Sequence, residues 1–147
     1  RGVSMKYVVL VSHGEFAPGL HKAVNMLAGE EREDVLSTSL KNGMGADEFA
    51  EKVKSVLSVV GPEDEIILFA DIVGGSPLAT TANVLMEMDL LGRTRMIGGM
   101  NLPLVLTCVL SKDDEETSEL IDELIEGAKD QMKEFVVAVD DEEEEEL

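Results

Sequence analysis

The sequence has one cysteine, few basic residues and no long apolar run, and each shortage closes a class of function. Cys108 is alone among 147 residues, so an internal disulfide is excluded and a thiolate metal site is argued against. A reducing, cytoplasmic setting is therefore expected. No apolar stretch approaches the roughly 20 residues needed to span a bilayer, and the N-terminus lacks the apolar core of a signal peptide. Only 12 Lys and Arg stand against 31 Asp and Glu, a formal net charge of −19. That balance argues against nucleic acid and anionic membranes as partners.

What is present is a foldable core. Hydrophobic residues make up 44% of the chain, which excludes disorder for most of it, and the length suits one domain. The acidity is unevenly placed. Residues 113 to 147 hold 17 acids and 2 bases, whereas residues 1 to 112 hold 14 acids and 10 bases. Seven consecutive acids, Asp140 to Glu146, predict a disordered acidic tail over 140–147. Arg1 to Ser4, preceding Met5, read as a cloning remnant, leaving a single domain over 5–139.

Within that domain the apolar pattern alternates strand and helix. Lys6 to Ser12 is a β-branched apolar run that ends at His13-Gly14, as a buried strand entering a turn does. Leu20, Val24 and Leu27 follow at helical spacing, with Gly29 as a stop. Val35 to Leu40 is a second strand, and Lys41 to Gly45 a loop. Phe49, Val53, Val56, Leu57 and Val60 mark one face of a helix reaching Gly61-Pro62. Glu65 to Asp71 is a third strand. Ser76 is expected as N-cap and Pro77 as the first residue of a helix to about Met88. Met96 to Met100 is a fourth strand, and Pro103 near the start of the run containing Cys108 favours helix there. Thr117 to Lys129 is amphipathic, and Glu134 to Val139 is a last short strand. Met86, Met88, Met96 and Met100 read as core filler.

Strands alternating with helices predict a doubly wound, mainly parallel α/β sheet. The terminal strand is the odd element, suited to antiparallel pairing at an edge or with a second subunit. With strand order 2-1-3-4, the order reverses between the first and third strands, where ligands bind at the C-terminal strand ends. The residues leaving those strands are Ser12-His13-Gly14-Glu15 and Asp71-Ile72-Val73-Gly74-Gly75-Ser76-Pro77. A carboxylate that accepts the proton of one imidazole nitrogen fixes the tautomer and stabilises the cation formed when the other nitrogen attacks. Asp71 is placed to do this for His13. Gly14, Gly74 and Gly75 let backbone N–H groups approach an anion, and Ser76 opens a helix whose N-terminus attracts phosphate. The residues point to a histidine that holds a phosphoryl group. A lone His at a strand end is also a common structural hydrogen-bonder, and Gly-Gly-Ser-Pro a common turn. His21 reads as a surface residue.

At these residues the chain resembles the mannose-family IIA component of the bacterial phosphoenolpyruvate-dependent sugar phosphotransferase system. The matching pieces are Ser12-His13-Gly14, Ala17-Pro18-Gly19-Leu20, Leu68-Phe69-Ala70-Asp71 with Gly74-Gly75-Ser76-Pro77, and Gly99-Met100-Asn101-Leu102-Pro103. They run in family order from Met5 to about Val139. The resemblance implies that His13 takes a phosphoryl group from the histidine phosphocarrier protein and passes it to a IIB component, which phosphorylates a sugar entering through membrane IIC and IID partners. It implies a cytoplasmic homodimer that exchanges the final strand. His13 matches the phosphorylated histidine, Asp71 its carboxylate partner, and Ser76 with its glycines the phosphate-side loop. Some members carry a hydroxyl residue directly after the aspartate, where this chain has Ile72. A separate IIB chain is expected, no metal or other cofactor is called for, and Phe16, Pro18, Ile72 and Val73 are candidate docking residues.

Three alternatives remain at this level. Ser12-His13-Gly14-Glu15 is similar to the start of histidine phosphatases, which however place arginine before the histidine and use a second catalytic histidine. A receiver-like domain would phosphorylate Asp71 but needs acidic metal ligands after the first strand, where this chain has Ser12-His13. A IIA-like regulatory carrier, such as the one serving dihydroxyacetone kinase, shares the same chemistry.

Overall fold

The computed structural model describes residues 4–139. The expected remnant therefore lies outside the described residues except for Ser4, and the expected acidic tail lies wholly outside them. Four strands, β1 (Lys6–His13), β2 (Val35–Leu40), β3 (Glu65–Ala70) and β4 (Thr94–Ile97), form one sheet. All pairings are parallel, as the alternating sequence predicts, and the order is β2-β1-β3-β4, the one assumed in placing the site. Five α-helices connect and cover it: α1 (Phe16–Ala28), α2 (Ala46–Leu57), α3 (Ser76–Glu87), α4 (Leu102–Ser111) and α5 (Thr117–Asp130).

Central strands buried on both faces need no polar alternation, and β1 is buried from Tyr7 to Ser12. Its pleat nevertheless sorts the side chains. Val8 and Leu10 join Ile67 and Phe69 under α1, α4 and α5, while Tyr7, Val9 and Val11 join Ile66 and Leu68 under α2 and α3. Phe49 and Phe69 are among the largest fully buried side chains, one in each layer. Truncating such a ring to alanine costs about 3–5 kcal/mol. No helix among the described residues is long and apolar enough to cross a membrane.

Several local expectations shift. Gly75, not Ser76, is the N-cap of α3, in extended backbone, and Ser76 is already helical. The α2 helix ends at Leu57, before Val60. Leu27 of α1 and Met86 and Met96 are exposed, so these do not fill the core, whereas Met100 does. The fourth strand begins two residues earlier than expected and ends three residues earlier, where Gly98 and Gly99 turn the chain away. A side chain at Gly98 would strike Val73, and Gly99 has φ +73°, a region glycine enters without penalty. Met100 N–H then donates to the Ala70 carbonyl at 3.0 Å.

Glu134 to Val139 forms no strand within the single chain. Phe135, Val136, Val137 and Val139 are 80%, 67%, 55% and 96% exposed. A strand needs a neighbouring edge to satisfy its backbone groups, and within the chain this segment meets none.

Candidate functional site

The parallel register brings the two expected segments together. β1 and β3 pair from Lys6↔Glu65 to Val11↔Ala70, so both strands end at the same edge of the sheet. His13 terminates β1, and Asp71 is the first residue beyond β3. The Asp71 carboxylate takes hold of His13 twice through one oxygen. Oδ2 accepts the His13 backbone N–H at 3.0 Å and lies 2.8 Å from ring Nδ1, while Oδ1 accepts the Ile72 N–H at 3.0 Å.

Burial pushes the Asp71 pKa up, but hydrogen bonds from the His13 backbone, its ring and the Ile72 N–H outweigh it and hold the carboxyl below its usual range. An ionised Asp71 accepts, so Nδ1 carries the ring proton and Nε2 keeps its lone pair. The His13 side chain is 47% exposed and that of Asp71 16%. The carboxylate is thus mostly covered while the imidazole faces solvent. An exposed imidazole oriented by a covered carboxylate is an arrangement in which the free ring nitrogen can act as a nucleophile.

Ser12, the last buried residue of β1, anchors the backbone beside His13. Its wholly buried hydroxyl donates to the His13 carbonyl at 3.0 Å and accepts the Ala17 N–H of α1 at 2.7 Å. It ties the backbone of His13 to the first turn of the next helix. The available signal was a lone hydroxyl closing an apolar strand directly before the histidine.

The glycines divide their work differently from expectation. Gly14 has φ +57°, which permits the turn after β1, and its N–H donates to the Leu40 carbonyl at 2.9 Å. That N–H is therefore not among those open to an anion. Gly75 approaches the ring itself, because a Cβ there would lie 2.7 Å from His13 Cε1 and 3.2 Å from Ile72 Cδ1. Gly74 faces open space. The N–H groups around Gly74 to Ser76 open α3, a geometry that favours anions. Of the docking candidates, Phe16, Ile72 and Val73 are exposed and Pro18 is half-buried.

Two charged side chains share this edge. Lys41, directly after β2, reaches back to Glu15, with Nζ 2.5 Å from Oε2. His21 is not the surface residue expected. Its Nδ1 lies 2.7 Å from Ser37 Oγ, and its shielded Nε2 has no partner among the described residues. Burial pushes its pKa down, against a smaller opposing effect of Glu31.

A hollow of about 530 Å³ lies along β4 and α5, lined by Arg95, Ile97, Asn101, Ile121, Ile125 and Met132 among others. It includes neither His13 nor Asp71.

A family model described as "PTS system fructose IIA component" matches residues 7–125. The fructose-specific EIIA component of the PTS of Bacillus subtilis (strain 168) is 27% identical over 117 residues, covering 80% of this chain and 77% of the relative. Among solved structures, a phosphotransferase system component EIIA from Streptococcus agalactiae superposes with a TM-score of 0.76 at 23% identity, covering 89% of this chain and 98% of the other. The mannose/sorbose-specific IIA subunit from Enterococcus faecalis gives 0.74 at 23% identity, covering 91% and 97%.

Proposed function

Since the chain belongs to the family of IIA components of the phosphotransferase system, we propose that it is a cytoplasmic sugar-uptake phosphocarrier whose acceptor atom is His13 Nε2. The observation that carries this reading is the His13–Asp71 pair: an ionised carboxylate fixes the Nδ1–H tautomer by a 2.8 Å contact and leaves the other nitrogen free at the surface. The donor is the phosphohistidine of the histidine phosphocarrier protein. The Nε2 lone pair of His13 attacks the phosphorus in line, the donor N–P bond breaks, and its electron pair returns to the donor imidazole. The Nδ1 proton stays on His13, and Asp71 stabilises the positive ring. The second transfer repeats the exchange toward a IIB component, which serves IIC and IID partners in the membrane. Both bonds are phosphoramidates, so each step is reversible.

N–H groups of the Gly74–Ser76 turn face the phosphoryl oxygens, with the Ser76 hydroxyl as a further donor. Exposed Phe16, Ile72 and Val73, with Pro18 beside them, give the carriers an apolar docking centre. A second copy supplies the missing strand edge: Glu134 to Val139 of each subunit pairs with β4 of the other, over the hollow beside α5. The exposed apolar side chains of that segment support the exchange.

Incubation with phosphoenolpyruvate, the first enzyme of the system and the histidine phosphocarrier is expected to give a base-stable phosphoryl adduct on the wild type and none on His13→Ala. Label retained by the variant overturns the assignment.

A further inference from the structure

Phosphorylation as proposed above sets a dianion beside the ionised carboxylate of Asp71, and something must answer that charge. Ile72 offers no hydroxyl, and Gly14 has committed its N–H to Leu40. The charged groups near His13 that the structure ties to this edge are Asp71, Glu15 and Lys41, with Lys22 on α1 acting on Glu15 from farther off. Lys41 therefore stands out as the cation whose partner is already at the rim.

Its placement is built into the sheet. His13 is paired with Leu40 in the β1–β2 register, and the Gly14 N–H closes on the Leu40 carbonyl at 2.9 Å. The root of Lys41 is thereby fixed one residue beyond the strand neighbour of the phosphoryl acceptor. Neighbouring strands lie about 4.8 Å apart, and a lysine carries its charge on a flexible four-carbon stem. In the unphosphorylated protein the ammonium is held by Glu15, two residues after His13, and Lys41 is the main reason that the Glu15 carboxyl is more acidic than usual. Both side chains are solvent-accessible, 41% and 77%, so the pair is free to exchange partners.

We propose that Lys41 is a phosphoryl-sensing counter-ion: it rests on Glu15 when His13 is free and turns to the phosphoryl oxygens when His13 is phosphorylated. At equal distance a dianion attracts the ammonium more strongly than one carboxylate, which favours the exchange. Glu15 competes for the cation, and its strength sets how tightly the phosphoryl group is retained. No bond is made or broken by Lys41. The proposal rests on the reading of His13 as a phosphocarrier.

The test uses the phosphorylated full chain and two readouts: the phosphorus resonance followed against pH, which gives the midpoint of the phosphoryl group's second ionisation, and the phosphorylated fraction at equilibrium with the donor carrier. Lys41→Met is expected to raise that midpoint by about half a pH unit and lower the equilibrium ratio about two- to fivefold, the range of an exposed charge pair. Lys41→Arg restores both toward wild type. Glu15→Gln moves both in the opposite direction, and about 1 M salt shrinks every difference. A Lys41→Met protein with wild-type midpoint and ratio overturns the counter-ion while leaving the phosphocarrier reading standing. A wild type that takes no label overturns both.

Discussion

The two ends of the sheet are built on opposite plans. At the end where the strands begin, each of four key charges is held by several partners. Asp34 accepts from Arg32 through Nε and Nη2 at 3.0 Å each and from Lys112 Nζ at 2.7 Å. Lys112, 2% exposed, closes α4, and Lys6 Nζ bonds its carbonyl and that of Glu115 at 2.9 and 2.8 Å. Arg93 Nη1 reaches the carbonyls of Gly61 and Asp64. At the end where the strands finish, an imidazole, a glycine turn and several apolar side chains face solvent. One end closes the sheet; the other leaves chemical valence open. On the proposed reading the open end accepts and releases a group in turn, and such a surface benefits from a frame pinned at its far side, since catalysis by positioning fails when the backbone drifts.

The comparison can be broken most forcefully at Lys112. Lys112→Met leaves Asp34 and its neighbours without a buried cation and is expected to cost about 3–5 kcal/mol of stability, read by chemical denaturation. The protein that remains folded should still accept label at the wild-type rate; a slowed rate would mean that the two ends are mechanically one. A smaller effect comes from acid. The Asp34 pKa is held at about 2, because hydrogen bonds from Arg32 and Lys112 overcome a burial effect that pushes it up. A depressed carboxyl contributes stability above its unfolded value and loses it as pH falls toward the folded value. Between about pH 4 and pH 2 the chain should therefore lose about 2 kcal/mol through this group. In Asp34→Asn, a weaker protein throughout, that portion of the acid slope should vanish, whereas Asp71→Ala should leave most of it. Smallest is Asp71→Ala itself, expected to slow phosphorylation about tenfold, or about 1.4 kcal/mol of barrier, with the melting temperature little changed. An unchanged rate removes Asp71 from the mechanism.

The ends also differed in how readable they were. The alternating strands and helices, the parallel sheet and the helix after Asn101 follow from apolar periodicity and local turn chemistry, and the meeting of the segments after β1 and β3 follows once the order 2-1-3-4 is assumed. The burial of Lys112 does not follow in this way. A lysine that ends an apolar helix and precedes a run of acids reads as solvated, and only the folded register brings Asp34 to it across 78 positions. The Gly14 N–H bond to Leu40 and the Gly75 approach to the imidazole are likewise contacts between distant segments, whereas Ser12 acts locally on His13 and the first turn of α1. The shift of the α3 cap to Gly75 has the same origin: a helix boundary set by how close the loop passes the ring. His21 is half-buried rather than on the surface because α1 lies over β2, where Ser37 offers it a partner.

The position of Tyr7 carries a practical consequence. The chain has no tryptophan and a single tyrosine, and that ring is 7% exposed in the layer beneath α2 and α3, near the start of β1. Near-ultraviolet emission from this protein therefore comes from one fluorophore, seated at the closed end of the strand that finishes in His13. Such a probe is remote from the His13 edge and changes in intensity when the sheet itself comes apart. Unfolding of the sheet can thus be followed by intrinsic emission, without introducing a label.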